Sequence, residues 1–543
     1  MRILLLLLLV SNALFSQVNK VPGTKIERPK LVVGIVVDQM RWDFLYRYYD
    51  RYAANGGFKR MLNQGFSCEN TLINYVPTYT ACGHSTLYTG TVPAVHGITG
   101  NEWWDVLEKR EVYCVEDNSV QGVGTTANAG KMSPRNMFTT TICDELRLAT
   151  NFRSKVIGVA FKDRGGILPA GHAANAAYWY EPASGKFITS TYYMKALPAW
   201  VEQFNGRKLP DTYMKGGWKT LYPIDTYVQS TIDDHPAEGK PLGKEQRGFP
   251  YKLEQFIGKN YGMLTFTPYG NTVTKEMAIA AVAGEQLGKD SITDFLAVSF
   301  STPDYIGHAF GPNSIEAEDN YLRLDKDLGE LFDYLDKNVG KGEYLVFLSA
   351  DHAAAHAARF MNEHNLPAQS VRYGYQQKLD SIFSAKYGAA RYVEAETNSQ
   401  LFFNHHVVDS MKLNLDEIKK LAIAYMMTQP EIHRVFAYDG LEKAAFPDEL
   451  KKVIQNGYYP NRAGDLHYTL QPGSLPGSTG TTHGSIYTYD THIPLVWYGW
   501  KIAPGRTTRQ VHMTDVAPTI AAMLRIQMPN GNVGNVITEI VGQ

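Results

Sequence analysis

Metal-capable side chains stand directly after apolar runs that read as strands. Asp38 follows Leu31–Val37, Asp304 and His308 follow Phe295–Phe300, and Asp351 and His352 follow Tyr344–Ala350 without a gap. His483 adds a third imidazole in Gly480–Thr481–Thr482–His483–Gly484. The carboxyl ends of parallel strands are where open α/β sheets build their sites, so groups far apart in sequence converge there. Taken singly, an aspartate ending a strand is an ordinary turn or cap residue. Taken together, three carboxylates and three imidazoles suit two zinc ions in four-coordinate sites.

A nucleophile would come from a loop near this cluster. The run Pro77–Thr78–Tyr79–Thr80–Ala81–Cys82–Gly83–His84–Ser85–Thr86 begins with a turn and leads into small, helix-compatible residues. A threonine at a helix N-terminus has its oxygen among unpaired backbone N–H groups, which stabilise a phosphoryl oxyanion. The same position suits a plain N-cap. On chemistry alone Thr78, Thr80 and Ser85 compete. A further segment, Phe161–Lys162–Asp163–Arg164–Gly165–Gly166, also follows a strand-like run. If extended, it would point Lys162 and Arg164 the same way. Two cations on one spot suit a phosphate dianion, and an arginine can bind two oxygens at once.

The elements that must position these groups are legible as strands alternating with helices. Leu31–Val37, Lys155–Phe161, Phe295–Phe300, Tyr344–Ala350 and His492–Trp500 read as strands. After Asn313 and Ser314, Tyr321, Leu324, Leu328, Leu331 and Leu335 recur at helical steps. Near the end, Asp515 can cap a helix with Pro518 in its first turn and Thr519–Leu524 as its body. The pattern predicts an α/β fold with a central, mostly parallel sheet flanked by helices. Irregular stretches at about 166–273, rich in Tyr, Trp, Pro and Gly, and at about 358–460 read as insertions capping the site.

The chain has 543 residues, 44% of them hydrophobic and 20% charged, with a formal net charge of −1. No basic excess points to nucleic acid. An anionic substrate would need local cations or metals. Arg2, the apolar run Ile3–Val10 and the segment ending at Ser16 read as a secretory signal over residues 1–16. The expectation is a single catalytic domain over 17–543, exported to the periplasm or secreted, with no membrane anchor. Cys68, Cys82, Cys114 and Cys143 could form bridges or remain buried thiols.

As a set, these pieces resemble the alkaline phosphatase superfamily, and within it the phosphate-irrepressible (PafA-type) alkaline phosphatases. They are more distantly similar to the nucleotide pyrophosphatase/phosphodiesterases. The resemblance rests on Val36–Met40, Pro77–Thr80, Gly97–Asn101, Lys162–Arg164, Ser301–His308, Ser349–His352, Thr482–Gly484 and Thr514–Thr519, in family order along nearly the whole chain. It implies Thr80 as the nucleophile. It implies one zinc on Asp304, His308 and His483, and another on Asp38, Asp351 and His352 with the Thr80 oxygen as fourth ligand. It implies Asn101, Lys162 and Arg164 as a phosphate clamp. The activity implied is hydrolysis of small phosphate monoesters of broad type through a phosphothreonine. A phosphodiesterase would share the metals and nucleophile, but a diester carries one charge fewer, which argues against two clamp cations. No Cys/Ser-x-Pro-x-Arg segment of the sulfatase kind lies near Thr80. A cofactor-independent mutase would use a serine. A non-catalytic binding protein would not need the full ligand set.

Overall fold

Seven consecutive apolar residues, Leu31–Val37, form the middle strand of the main sheet, and all seven are buried. A run buried on both faces is what a parallel strand covered by helices requires. It pairs in parallel with Tyr344–Ser349 on one side and Asp294–Phe300 on the other. Val156–Ala160 and Ala176–Glu181 continue the parallel order. Antiparallel strands flank this core, Leu495–Gly499 on one side and Lys186–Ser190 on the other. Among the described residues this sheet has eleven strands. This computed structural model describes residues 26–372 and 374–542. The secretory signal expected over 1–16 lies outside the described residues.

The helix expected after Ser314 spans Ile315–Leu335, with Tyr321, Leu324, Leu328, Leu331 and Leu335 all buried. Ser314 Oγ caps it by accepting from Ala317 N at 3.1 Å. The C-terminal helix forms at Val516–Leu524, but Asp515 does not cap it. Its carboxylate accepts instead from His512 N at 2.9 Å and Asn535 N at 2.8 Å. The strand expected over His492–Trp500 divides into His492–Ile493 and Leu495–Gly499. Pro494 lies between them and has no N–H for a ladder.

Both insertions carry more regular structure than their composition suggests. Within 166–273, Ala176–Glu181 and Lys186–Ser190 belong to the main sheet. Every residue of Ala176–Glu181 is buried, so no in-out alternation marks it. From 191 onward this stretch runs through short helices, including Ala199–Gly206 and Leu209–Lys215, and turns. The 358–460 region builds most of a second, antiparallel sheet. Its order is Val393–Thr397, Gln400–Phe403, Leu466–Leu470, Ile432–Ala437. Helices Tyr375–Tyr387 and Leu415–Met426 accompany it. A separate apolar core forms there, including Leu379, Phe383, Phe403, Ile418 and Met426. Two of these strands are interrupted by register shifts, and a short, bulged strand gives little alternation to read.

Two glycines set how closely the site helix Thr80–Thr89 approaches the sheet. A Cβ on Gly34, in the middle strand, would lie 2.2 Å from the Tyr88 hydroxyl. A Cβ on Gly83 would lie 2.2 Å from the backbone oxygen of Asp351. Any larger residue at either place would force the helix away from the strand ends. The four cysteines are buried, unpaired thiols.

Candidate active site

The carboxyl ends of three adjacent strands, Leu31–Val37, Asp294–Phe300 and Tyr344–Ser349, deliver Asp38, Asp304 and Asp351 to one place. Asp304 and His308 lie on helix Thr302–Phe310, four residues apart and so on one face. Thr80 is the first residue of helix Thr80–Thr89, one position inside the cap residue Tyr79. Its Oγ1 lies 3.3 Å from Lys162 Nζ and 3.5 Å from His352 Nε2. The competing hydroxyls are placed otherwise. Thr78 Oγ1 donates to Ser485 O at 3.1 Å and accepts from Gly484 N at 3.0 Å. Ser85 is fully buried, with no partner for its Oγ.

The histidines present their Nε2 atoms to the aspartates. His308 Nδ1 is 2.8 Å from Thr481 O, His352 Nδ1 3.1 Å from Ala353 O, and His483 Nδ1 2.7 Å from Thr78 O. A carbonyl only accepts, so each Nδ1 carries the proton and donates. Such backbone bonds are the usual way a metal-binding histidine is oriented. His352 Nε2 then lies 3.3 Å from Asp351 Oδ2 and 3.6 Å from Asp38 Oδ1. His483 Nε2 lies 3.5 Å from Asp304 Oδ1, and His308 Nε2 3.2 Å from the same oxygen. Burial pushes the His483 imidazole down to about 3 and lowers that of His352. Neutral nitrogen lone pairs facing carboxylate oxygens repel unless a cation lies among them.

The carboxylates tell the same story. Asp38 Oδ1 and Asp351 Oδ2 are buried without a hydrogen-bond partner. Burial raises the Asp38 carboxyl, against the pull of Lys162. Burial and neighbouring Asp38 push Asp351 well above the usual range. Asp304 goes the other way: burial would raise it, but His308 and Lys162 hold it well below. Lys162 Nζ stands 2.7 Å from Asp38 Oδ2 and 2.5 Å from Asp304 Oδ2. Three carboxyl groups share the buried Lys162 ammonium and the His308 imidazole, and burial disfavours the charged forms of Asp38 and Asp351, so keeping all three ionised calls for bound cations. Ligand atoms of Asp38, Asp351 and His352 lie within 4.8 Å of one another, as do those of Asp304, His352 and His483. The donor set fits metal ions of the imidazole- and carboxylate-seeking kind. His352 belongs to both groups, and its ring stacks on that of His483 with centroids 3.5 Å apart. His308, 36% exposed, stands at the rim of the second group.

Lys162 and Arg164 do not lie in an extended segment. A helix begins at Asp163, with Lys162 as its cap residue and Arg164 in its first turn. Lys162 reaches the aspartates, while Arg164 Nη1 donates to the Tyr113 hydroxyl at 3.1 Å. Asn101 Oδ1 accepts from Ala81 N at 3.0 Å. That bond ties Asn101 to the Thr80 helix and leaves its amide N–H groups as donors.

The sequence model described as type I phosphodiesterase / nucleotide pyrophosphatase matches residues 32–498. The chain belongs to this family. Alkaline phosphatase PhoV of Synechococcus elongatus is 50% identical, over 95% of this chain and 94% of its own. A Myroides odoratus protein named calcium-transporting ATPase is 51% identical over 96% of each chain. Alkaline phosphatase PafA of Elizabethkingia meningoseptica is 47% identical over 99% of each. The crystal structure of wild-type PafA matches with a TM-score of 0.93, covering 95% of this chain and 100% of that one.

In this phosphodiesterase-family site, four contacts escape a reading by residue type. Gln39, held at φ 65°, donates through Nε2 to Asp304 Oδ1 at 2.6 Å and through its backbone N to Asp351 Oδ1 at 3.1 Å. Its place beside Asp38 is the one signal that could have found it. His84 joins Thr80 O at 2.8 Å to Ser299 Oγ at 2.8 Å. Tyr305 lies under Lys162, whose Nζ is 5.1 Å from the ring centroid. Tyr113 comes from a hairpin with no motif around it.

Proposed function

We propose that this protein hydrolyses phosphate monoesters at a two-zinc site through a phosphothreonine on Thr80, releasing an alcohol and inorganic phosphate. The observation that carries the reading is the Thr80 hydroxyl at a helix N-terminus, within 3.5 Å of both Lys162 Nζ and His352 Nε2. A phosphatase activity accords with the names of the PhoV and PafA relatives. Asp38, Asp351 and His352 would hold one ion, and Asp304, His308 and His483 the other. Bound there, the ions would supply Lewis acidity to the attacking hydroxyl and to the leaving oxygen.

The chain's own residues do the rest. Thr80 Oγ1 bonds to phosphorus as the bond to the ester oxygen breaks, and the hydroxyl proton ends on the departing alcohol. The N-terminal end of helix Thr80–Thr89 favours the phosphoryl charge, while its Ala81 N–H is committed to Asn101 Oδ1. Asn101, Lys162 and Arg164 donate to its three unesterified oxygens and offset their charge. Water then adds to phosphorus, Thr80 Oγ1 leaves, and it takes a proton back. His84 Nδ1–H holds the Thr80 carbonyl, fixing the first turn of the helix from which the hydroxyl projects.

The same clamp sets the ester class. A diester offers two unesterified oxygens instead of three and one charge fewer, so three donors would be left incompletely used. The terminal phosphoryl of a nucleoside triphosphate does present three such oxygens. Release of phosphate from ATP, as the name of the Myroides relative implies for that protein, therefore falls within this chemistry. We read residues 17–543 as one catalytic domain with insertions, acting outside the cytoplasm on small phosphate esters of broad type.

The test compares initial rates on p-nitrophenyl phosphate and methyl p-nitrophenyl phosphate, with and without chelator and added zinc. A strong monoester preference that collapses with chelator and returns with zinc is expected. Diester preference would overturn the substrate class, and turnover indifferent to chelator would overturn the metal site.

A further inference from the structure

The phosphate clamp has a holder that its motifs do not include. Strands Glu102–Asp105 and Arg110–Tyr113 form a hairpin in which Glu102 stands opposite Tyr113. Asn101 stands directly before the hairpin, and its backbone oxygen accepts from Cys114 N at 2.8 Å. The two ends of the hairpin are thus clasped, with Asn101 beside Tyr113. The backbone of Tyr113 is itself pinned, because its N–H donates to Glu116 Oε2 at 3.1 Å.

The Tyr113 hydroxyl joins two residues of the helix that starts at Asp163. It donates to Asp163 Oδ1 at 2.5 Å and accepts from Arg164 Nη1 at 3.1 Å. A phenol has one proton. With that proton committed to the carboxylate, the oxygen lone pair must face the guanidinium. Asp163 Oδ1 also accepts from Arg164 N at 2.7 Å, so the carboxylate is held from both sides. Arg164 Nε is buried without a hydrogen-bond partner. One edge of the guanidinium is therefore tethered while other donors stay free for a ligand.

We infer that Tyr113 is a positioning residue that fixes Arg164 relative to Asn101 before substrate arrives. This inference rests on the clamp reading given above. An arginine on its long stem must otherwise be ordered at the moment of binding, and a tether made in advance removes that cost. The hairpin then has one clamp group, Asn101, at its base and holds a second. Tyr113 touches no reacting atom in this scheme, so its effect must pass through Arg164.

The experiment is a double-mutant cycle of the metal-loaded enzyme: parent, Tyr113→Phe, Arg164→Ala and both together. Each is assayed for kcat/KM on p-nitrophenyl phosphate and on methyl p-nitrophenyl phosphate. Tyr113→Phe keeps the ring and removes only the hydroxyl. It is expected to lower the monoester value about tenfold, the scale of one hydrogen bond to a charged group, and the diester value by less than about threefold on the same scale. It is expected to add no further loss in the Arg164→Ala background. Equal losses on both substrates, an additive loss in the double variant, or no loss at all would overturn the inference. If Tyr113→Phe does not fold, Asp163→Asn weakens the same tether from its other end and must give the same monoester-selective loss. If Arg164→Ala itself fails to separate the two substrates, the clamp reading falls. If it separates them and Tyr113→Phe does not, only the role of Tyr113 falls.

Discussion

A threonine hydroxyl is a weak nucleophile, and what distinguishes Thr80 from Thr78 and Ser85 is its company. Its neighbours are an ammonium held by two aspartates and an imidazole whose remaining nitrogen is pinned to a backbone oxygen. Thr78, by contrast, spends its hydroxyl on the His483 loop. The residue types and their order along the chain pointed to Asp38, Asp304, His308, Asp351, His352 and His483 as a group, because all are metal-capable. Choosing among the hydroxyls needed the resemblance first and the geometry afterwards. Thr80→Ala is expected to cut kcat/KM by at least about 10³-fold, the scale on which loss of a covalent nucleophile is felt. Metal content by elemental analysis should stay at the parent level, because the six proposed Asp and His ligands remain. Parent-like turnover would place the nucleophile elsewhere.

At the scale of elements, the site depends on one helix lying hard against the strand ends. Gly83 allows this, since its Cα faces the Asp351 backbone at a distance that no Cβ permits. Gly83→Ala is expected to destabilise the fold by about 1–3 kcal/mol, the usual cost of overpacking. Because the backbone it meets carries a proposed ligand, activity should fall further than the unfolded fraction explains. A thermal melt combined with an assay well below Tm separates the two effects. An unchanged melt and rate would mean the helix does not need this approach. The sequence made the main strands legible where burial on both faces yields an unbroken apolar run, as in Leu31–Val37. It hid Ala176–Glu181, whose aromatic residues read as a cap, and it merged His492–Ile493 with Leu495–Gly499 across Pro494. Lys162 and Arg164 alternate in sequence, yet a helix start between them sends them to different partners.

At the scale of the molecule, the parallel core brings distant strand ends together, and the second sheet helps wall the approach. Asn398, in the turn between two of its strands, donates through Nδ2 to Glu102 O at 2.7 Å, next to Asn101. A cleft beside His483 is lined by Tyr79, by Ser399 from that same turn and by His467 from the second sheet. This part was not legible in the sequence, because short, bulged strands lack period-two patterning and their contacts to the site are long-range. All these parts serve one central claim, that phosphate leaves its ester in two displacements with Thr80 between them. The stereochemical course at phosphorus tests it most directly, using a phosphate monoester made chiral with oxygen isotopes and an alcohol as acceptor. Two in-line displacements each invert phosphorus, so the account predicts net retention. Net inversion would mean a single direct transfer, and the phosphothreonine would be contradicted.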